Sequence, residues 1–222
     1  SYDETEFKAP FNSLLSDNDR FNLPLDIFYE LTPKVDLSLG YTYSESDVSD
    51  REVTPADDSY TTERHFINVG ARGNLLPKLS GFFKIGYSAR EDDRAGSPSG
   101  NTLGLDSDLN WTVTPKFALG LGASRDYSVS GEGLSTEDTS VSLTSNYSIN
   151  SYFAATAFVN YLHKEYNNGQ DDNQYFLGAR ITYTPSDYWR FGAGYTFSEN
   201  DSDLVDRSFT DHTIDFTVTL RY

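Results

Sequence analysis

The sequence has no cysteine and no methionine, only 17 lysines and arginines against 34 aspartates and glutamates, and no long apolar run. Each shortage excludes something. Without cysteine there is no disulfide, no thiolate metal ligand and no haem-attachment C-x-x-C-H, which is compatible with an oxidising compartment without demanding one. A net charge of −17 leaves no cluster of Lys and Arg to neutralise phosphates, which argues against nucleic acid as a partner. Acidic excess of this kind keeps loops solvated. No segment approaches the roughly 20 apolar residues of a membrane helix, so any passage through a bilayer must be by strands. No signal peptide stands at the front, and the chain starts at Ser1 without Met, so it reads as processed or partial.

What is present is a repeated unit. Thr114-Pro115-Lys116 opens into a run whose odd positions are apolar (Phe117, Leu119, Leu121, Ala123) and whose even positions are small or polar (Gly120, Gly122, Ser124, Asp126). The same unit recurs from Thr32, Leu75 and Thr184, with a degenerate copy from Asn150, at spacings of 35 to 44 residues. A period of that size built of hairpins marks a repeating β architecture.

Period-two alternation defines eleven strands, at 20–31, 35–46, 60–74, 79–90, 102–113, 117–129, 139–149, 152–164, 173–183, 188–198 and 211–222. Each has about the 9–11 residues, or a few more, of a tilted membrane strand. Connections alternate in length: short at 32–34, 75–78, 114–116, 150–151 and 184–187, and long, acidic and Gly/Ser-rich between. Short periplasmic turns and long extracellular loops are the layout of outer-membrane barrels. The last strand then runs down to a periplasmic C-terminus, and the first also runs downward, leaving 1–19 as an extracellular-side segment or the remnant of an upstream loop, with the barrel in 20–222. Single-chain bacterial barrels have an even strand number and a periplasmic N-terminus. The expectation is therefore that the chain is the C-terminal part of a barrel of twelve or more strands, rather than that 1–9 supplies a poor twelfth strand.

The two faces of each strand differ. One carries apolar residues such as Leu23, Leu25, Ile27, Leu37, Leu39 and Phe83, with aromatics at its ends: Tyr29, Trp111, Tyr147, Tyr183, Trp189 and Tyr222 near short turns, and Tyr43, Tyr87, Tyr161 and Phe197 near long loops. Two aromatic girdles around an aliphatic band match a bilayer. A soluble sandwich would instead fill a dry core with bulky side chains from one face of each strand. The opposite face carries Asp26, Glu30 and Asp36, then Asn68, Arg72, Lys84 and Arg90. It continues through Asp106, Asp108 and Asn110 to Arg180, Arg190, Asp215 and Arg221. Such charges need water or partners, so this face lines either a hydrated lumen or a closed network of ion pairs. The expected fold is all-β, an antiparallel up-and-down transmembrane β-barrel.

Catalytic signals are weak. His65, His163 and His212, with Arg125, fall near loop ends on the lipid-side parity. They suit either contact with lipopolysaccharide phosphates or a place in the interfacial belt. No nucleophile, base and orienting group stand out, so no enzyme is expected. Acidic pairs such as Asp57-Asp58, Asp92-Asp93 and Asp171-Asp172 match no EF-hand loop; no metal or other cofactor is expected.

The Thr-Pro-Lys turn-and-strand units, the ASRDYS stretch at 123–128 and the Tyr-ended strands resemble the outer-membrane β-barrel porins associated with exopolysaccharide biosynthesis and export in Gram-negative bacteria. The resemblance implies a fixed barrel, no catalytic motif, and an outer-membrane route for secreted polysaccharide. Members are longer at the front. The final HTIDFTVTLRY resembles the C-terminal signal read by the barrel-assembly machinery. Implied partners are outer-membrane lipid and lipopolysaccharide, the assembly machinery during insertion, polysaccharide, and periplasmic export proteins. The alternative function is a structural or adhesive barrel with functional loops and no conductance.

Overall fold

A computed structural model describes residues 1–6, 8, 15–49, 59–94 and 99–221. The described residues form twelve strands in one antiparallel sheet whose spatial order is their chain order. They are β1 (Tyr2–Thr5), β2 (Asn18–Thr32), β3 (Val35–Val48), β4 (Tyr60–Leu76), β5 (Leu79–Asp92) and β6 (Gly100–Thr114), then β7 (Phe117–Val129), β8 (Ser135–Ser148), β9 (Phe153–Tyr166), β10 (Asp171–Tyr183), β11 (Trp189–Ser202) and β12 (Phe209–Leu220). No described helix is long and apolar enough to cross a membrane. Apart from β1, the strands have 12 to 17 residues. At ~3.3 Å per residue and a tilt near 45°, that length crosses the roughly 30 Å hydrocarbon layer.

The twelfth strand is the short β1, which the charge-rich sequence of 1–9 did not advertise. Its four residues pair with β2 through Tyr2↔Phe21 to Thr5↔Asn18, and the amide of Asn22 donates to the Ser1 carbonyl at 2.9 Å. β2 accordingly begins at Asn18, inside the segment expected to be loop. Among the described residues no pairing joins β12 back to β1 or β2. β2 and β12 run the same way, so a strand antiparallel to both runs in the direction of β1.

The short turns explain the repeat. Thr32 and Thr114 hydroxyls each accept the amide of the lysine two residues on, at 3.3 Å. The degenerate copy uses a stronger version of the same device: Asn150 Oδ1 accepts the amides of Tyr152 and Phe153 at 2.8 and 2.9 Å. That turn is longer than the sequence implied, because β9 starts only at Phe153. At the second short turn, 75–78, the register shifts next to the cross-strand pair Gly73↔Gly81. Gly81 has φ +139°, and a Cβ there would lie 2.0 Å from the Asp108 carbonyl oxygen, so only glycine fits.

The sheet is strongly curved. On its inner face Arg64 of β4 forms an ion pair with Asp126 of β7, and Ser88 of β5 donates to the same carboxylate at 2.7 Å. Side chains three strands apart meet only on a concave surface. That face holds most of the buried residues, which are polar: Ser88, Ser135, Thr136 and Asn68 are at most 2% exposed. The convex face is greasy and open. Leu109, Leu121, Leu143, Val159 and Leu177 are successive cross-strand partners from β6 to β10, and Ile27 and Phe216 are 73% and 79% exposed. A protein in water does not leave such a surface bare; hydrocarbon accepts it.

Candidate passage along the inner face

Register settles which side chains share the inner face. Asp26, Glu30, Asp36, Asn68, Arg72, Lys84, Asp106, Asp108, Asn110, Arg180, Arg190 and Asp215 fall on the parity of the buried polar set. So does Arg90, which is itself buried. Arg221 lies just past β12, where its amide donates to the Tyr188 carbonyl at 2.9 Å.

The charges are largely matched across strands. Lys84 holds Asp26 at 3.0 Å and Arg72 holds Asp36 at 3.0 Å, with the Arg72 guanidinium 3.4 Å above the Phe28 ring. Within β5, Arg90 lies 3.6 Å from Asp92. Arg180 of β10 pairs with Asp215 of β12, reaching across β11. The reach depends on bare backbone beneath it: a Cβ on Gly192 or Gly194 would come within 2.9 or 3.2 Å of that guanidinium. Gly178 is covered in the same way by the Phe158 ring. The inward glycines thus relieve crowding on a curved wall. Sequence parity alone missed a second component, namely inward aromatics. Phe28, Phe66, Phe82, Phe158 and Phe176 lie on the inner parity among the polar residues; in a pattern read one strand at a time they pass for register noise.

Cavities follow this face. One of about 350 Å³ lies against Arg20, Asn22, Ser44, Arg64, Asp126 and Tyr127 toward the long-loop end. Another of about 570 Å³ lies nearer the short turns, between Asp26, Phe28, Arg72, Phe82, Lys84 and Asp106. Both offer donors, acceptors and apolar walls together. No cluster of three or more His, Asp or Glu able to hold a metal occurs among the described residues.

The convex face carries the aromatics in two tiers. Toward the short turns the rings touch: Phe153 with Tyr183 (4.6 Å), Tyr183 with Phe191 (6.2 Å) and Phe191 with Trp189 (5.9 Å), with Tyr147 edge-on to Phe117. Tyr29 and Trp111 share this face; Tyr222 lies outside the described residues, as do Asp57 and Asp58. Toward the long loops stand Tyr43, Tyr87, Tyr161 and Phe197, and the histidines sit among them. The Tyr41 hydroxyl meets His65 Nδ1 at 2.8 Å and the Tyr195 hydroxyl meets His212 Nδ1 at 2.8 Å. His163 lies 3.0 Å from Asn173 and 3.1 Å from Glu165. Arg125 is on the outward parity but turns along the wall to Glu137 and Thr102. All four groups therefore already have protein partners, and for His65, His163 and Arg125 these include carboxylates, which would repel a bare phosphate.

A sheet with a lipid-facing convex side, two aromatic tiers and a polar concave side is an outer-membrane β-barrel, and places the protein in the outer membrane of a Gram-negative bacterium. The sequence matches the family described as Putative beta-barrel porin 2 over residues 61–222, and the chain belongs to that family. No curated protein matches the sequence. Among solved structures, the FrpB iron transporter from Neisseria meningitidis (F3-3 variant) superposes with a TM-score of 0.65 at 8% identity, over 93% of this chain and 41% of that one. The copper transporter OprC gives 0.55 at 11% identity, over 87% and 39%. The ferripyoverdine receptor of the outer membrane of Pseudomonas aeruginosa gives 0.54 at 10% identity, over 98% and 39%. The chain thus spans 39–41% of the length of these relatives in structure. The likeness at such identities is one of fold.

Proposed function

We propose that the barrel is a passage for hydrophilic solute, with secreted polysaccharide as its permeant class, the long loops outside the cell and the short turns in the periplasm. The observation that carries this reading is the composition of the inner face: paired charges, hydroxyls and amides with Phe28 and Phe82 interspersed, beside cavities that offer both hydrogen bonds and apolar contact. Such a wall favours weak, multiple, exchangeable contacts with a hydroxyl-rich chain, which is what conduction requires of a binding surface. No step in this function needs bond chemistry, so we infer transport rather than catalysis. Lumen charge would tune selectivity, and periplasmic export proteins would deliver the permeant.

A second reading is supported by one observation. Much of the inner face toward the long loops is packed, with Ser88 and Ser135 fully buried, as in a closed barrel whose loops are the working part. Planar-bilayer recording separates the two. The passage reading expects ion conductance from purified protein, reduced by added neutral oligosaccharide. Folded, heat-modifiable protein that is silent in bilayers, while its loops bind cells or matrix, would favour the adhesive reading.

A further inference from the structure

The connection between β7 and β8 does not stand away from the barrel as an open loop. It is a compact turn over 130–134: Ser130 N donates to the Leu134 carbonyl at 2.8 Å, Gly133 N to the Ser130 carbonyl at 2.9 Å, and Leu134 N to Ser130 Oγ at 3.2 Å. Closed on itself in this way, it would move as one body. Its outward-pointing groups are used on distant elements. The Gly131 carbonyl accepts the backbone amide of Ser16, just ahead of β2, at 2.9 Å. The Gly133 carbonyl accepts the Tyr60 hydroxyl at the start of β4, at 3.0 Å. Glu132 forms an ion pair with Arg207, in the β11–β12 connection, whose own carbonyl is held by Asn200 Nδ2 at 2.8 Å.

In sheet order β2 and β12 lie on opposite sides of β7 and β8, each several strands away. One short turn that reaches the starts of both has crossed the interior. It is also seated on apolar residues. The buried apolar residues among those described are Val48, Tyr60 and Phe66. Tyr60 bonds the turn, and Val48 Cγ1 stands 3.0 Å from where a Gly133 Cβ would be. Gly133 also has φ +68° and would place that Cβ 2.7 Å from Ser16 Oγ, so a side chain there is excluded twice over. The cavity lined by Asn22, Ser44, Arg64 and Asp126 extends along β7 to Ser128 and Val129, where the turn begins.

We propose that the 130–134 turn is a strap across the long-loop end of the lumen, held down by the Glu132–Arg207 pair, and that its release controls entry to the cavity beneath. The proposal rests on the passage reading and adds to it the place where passage is regulated. A strap fastened by two neutral hydrogen bonds, one partly exposed ion pair and a glycine seated on a small apolar patch belongs to the part of a fold that opens without global unfolding. The wall strands below it, bonded along their whole length, do not.

The test uses the absence of native cysteine. Ser44→Cys puts a single thiol in the cavity, two inward positions below Val48, and its reaction with a membrane-impermeant maleimide is timed in intact cells. Removing the ion pair with Glu132→Gln or Arg207→Gln is expected to speed labelling up to roughly five-fold, the range open to a partly exposed pair, and displacing the seat with Gly133→Ala is expected to speed it as well. Heat-modifiable mobility checks that each variant has folded. Unchanged labelling in all three folded variants overturns the strap. Bilayer conductance is read separately. Faster labelling with no conductance in any form keeps the strap and sinks the passage, and conductance with unchanged labelling does the reverse.

Discussion

Placing an arginine at Leu143 and, separately, at its neighbour Thr144 should have opposite consequences, although the two residues are adjacent in one strand. Leu143 is on the convex face at the centre of the aliphatic row, directly between Leu121 and Val159. A cation there must enter hydrocarbon, and the cost at the midplane of a barrel wall is ~2–4 kcal/mol. At about 1.4 kcal/mol per factor of ten, the folding equilibrium falls between roughly 30- and 1,000-fold. Thr144 is on the inner face opposite Gly120, where a Cβ meets nothing closer than 3.8 Å. A long side chain has room there and reaches the polar interior, so Thr144→Arg should stay within about 1 kcal/mol of the parent. Urea unfolding in phospholipid vesicles, followed by tryptophan fluorescence with heat-modifiable mobility as a folding check, gives both numbers. Equal costs, or a greater cost at Thr144, would refute the assignment of faces.

Two further outcomes follow from the inner wall and its turns. Gly81→Ala should cost ~1–3 kcal/mol in the same unfolding assay, because the backbone is at φ +139° and the new Cβ collides with the Asp108 carbonyl; a neutral result would mean that the Gly73↔Gly81 bulge relaxes freely. Neutralising Arg180 and Arg190 together to glutamine should shift the reversal potential in a salt gradient toward cation preference, since Asp215 loses its partner. Stability should change by less than about 1 kcal/mol, as expected for a pair that water still reaches, and an unaltered reversal potential would remove these arginines from the conducting path.

Much of the fold was legible because lipid-facing strands obey a one-dimensional rule. The alternation through Leu37, Leu39, Tyr41 and Tyr43, and the Thr-Pro-Lys turns at 32–34 and 114–116, gave strand order and facing without reference to anything distant. What was not legible depends on curvature. Tyr2–Thr5 carries too little apolar character to announce a strand, and only its pairing with β2 makes it one. Phe28, Phe66 and Phe82 break the polar parity locally and make sense only once Arg72 stacks on Phe28 and Phe66 covers Gly104 from two strands away. The Arg64–Asp126 and Glu132–Arg207 pairs join residues 62 and 75 apart in sequence, and no spacing rule connects them. The tyrosine partners of His65 and His212 and the Asn173 partner of His163 come from neighbouring strands in a register that sequence does not specify. The inner face was thus readable as a list of residues, and its pairing was not.

The central claim is that the convex face meets hydrocarbon and the concave face meets solvent or fixed ions. The chain has two tryptophans, Trp111 and Trp189, both on the convex face toward the short turns and 42% and 43% exposed. In vesicles carrying nitroxide-labelled lipid, their fluorescence should be quenched strongly by labels near the headgroups, less by labels near the bilayer centre, and hardly by aqueous iodide. Strong iodide quenching with the lipid labels silent would contradict the account.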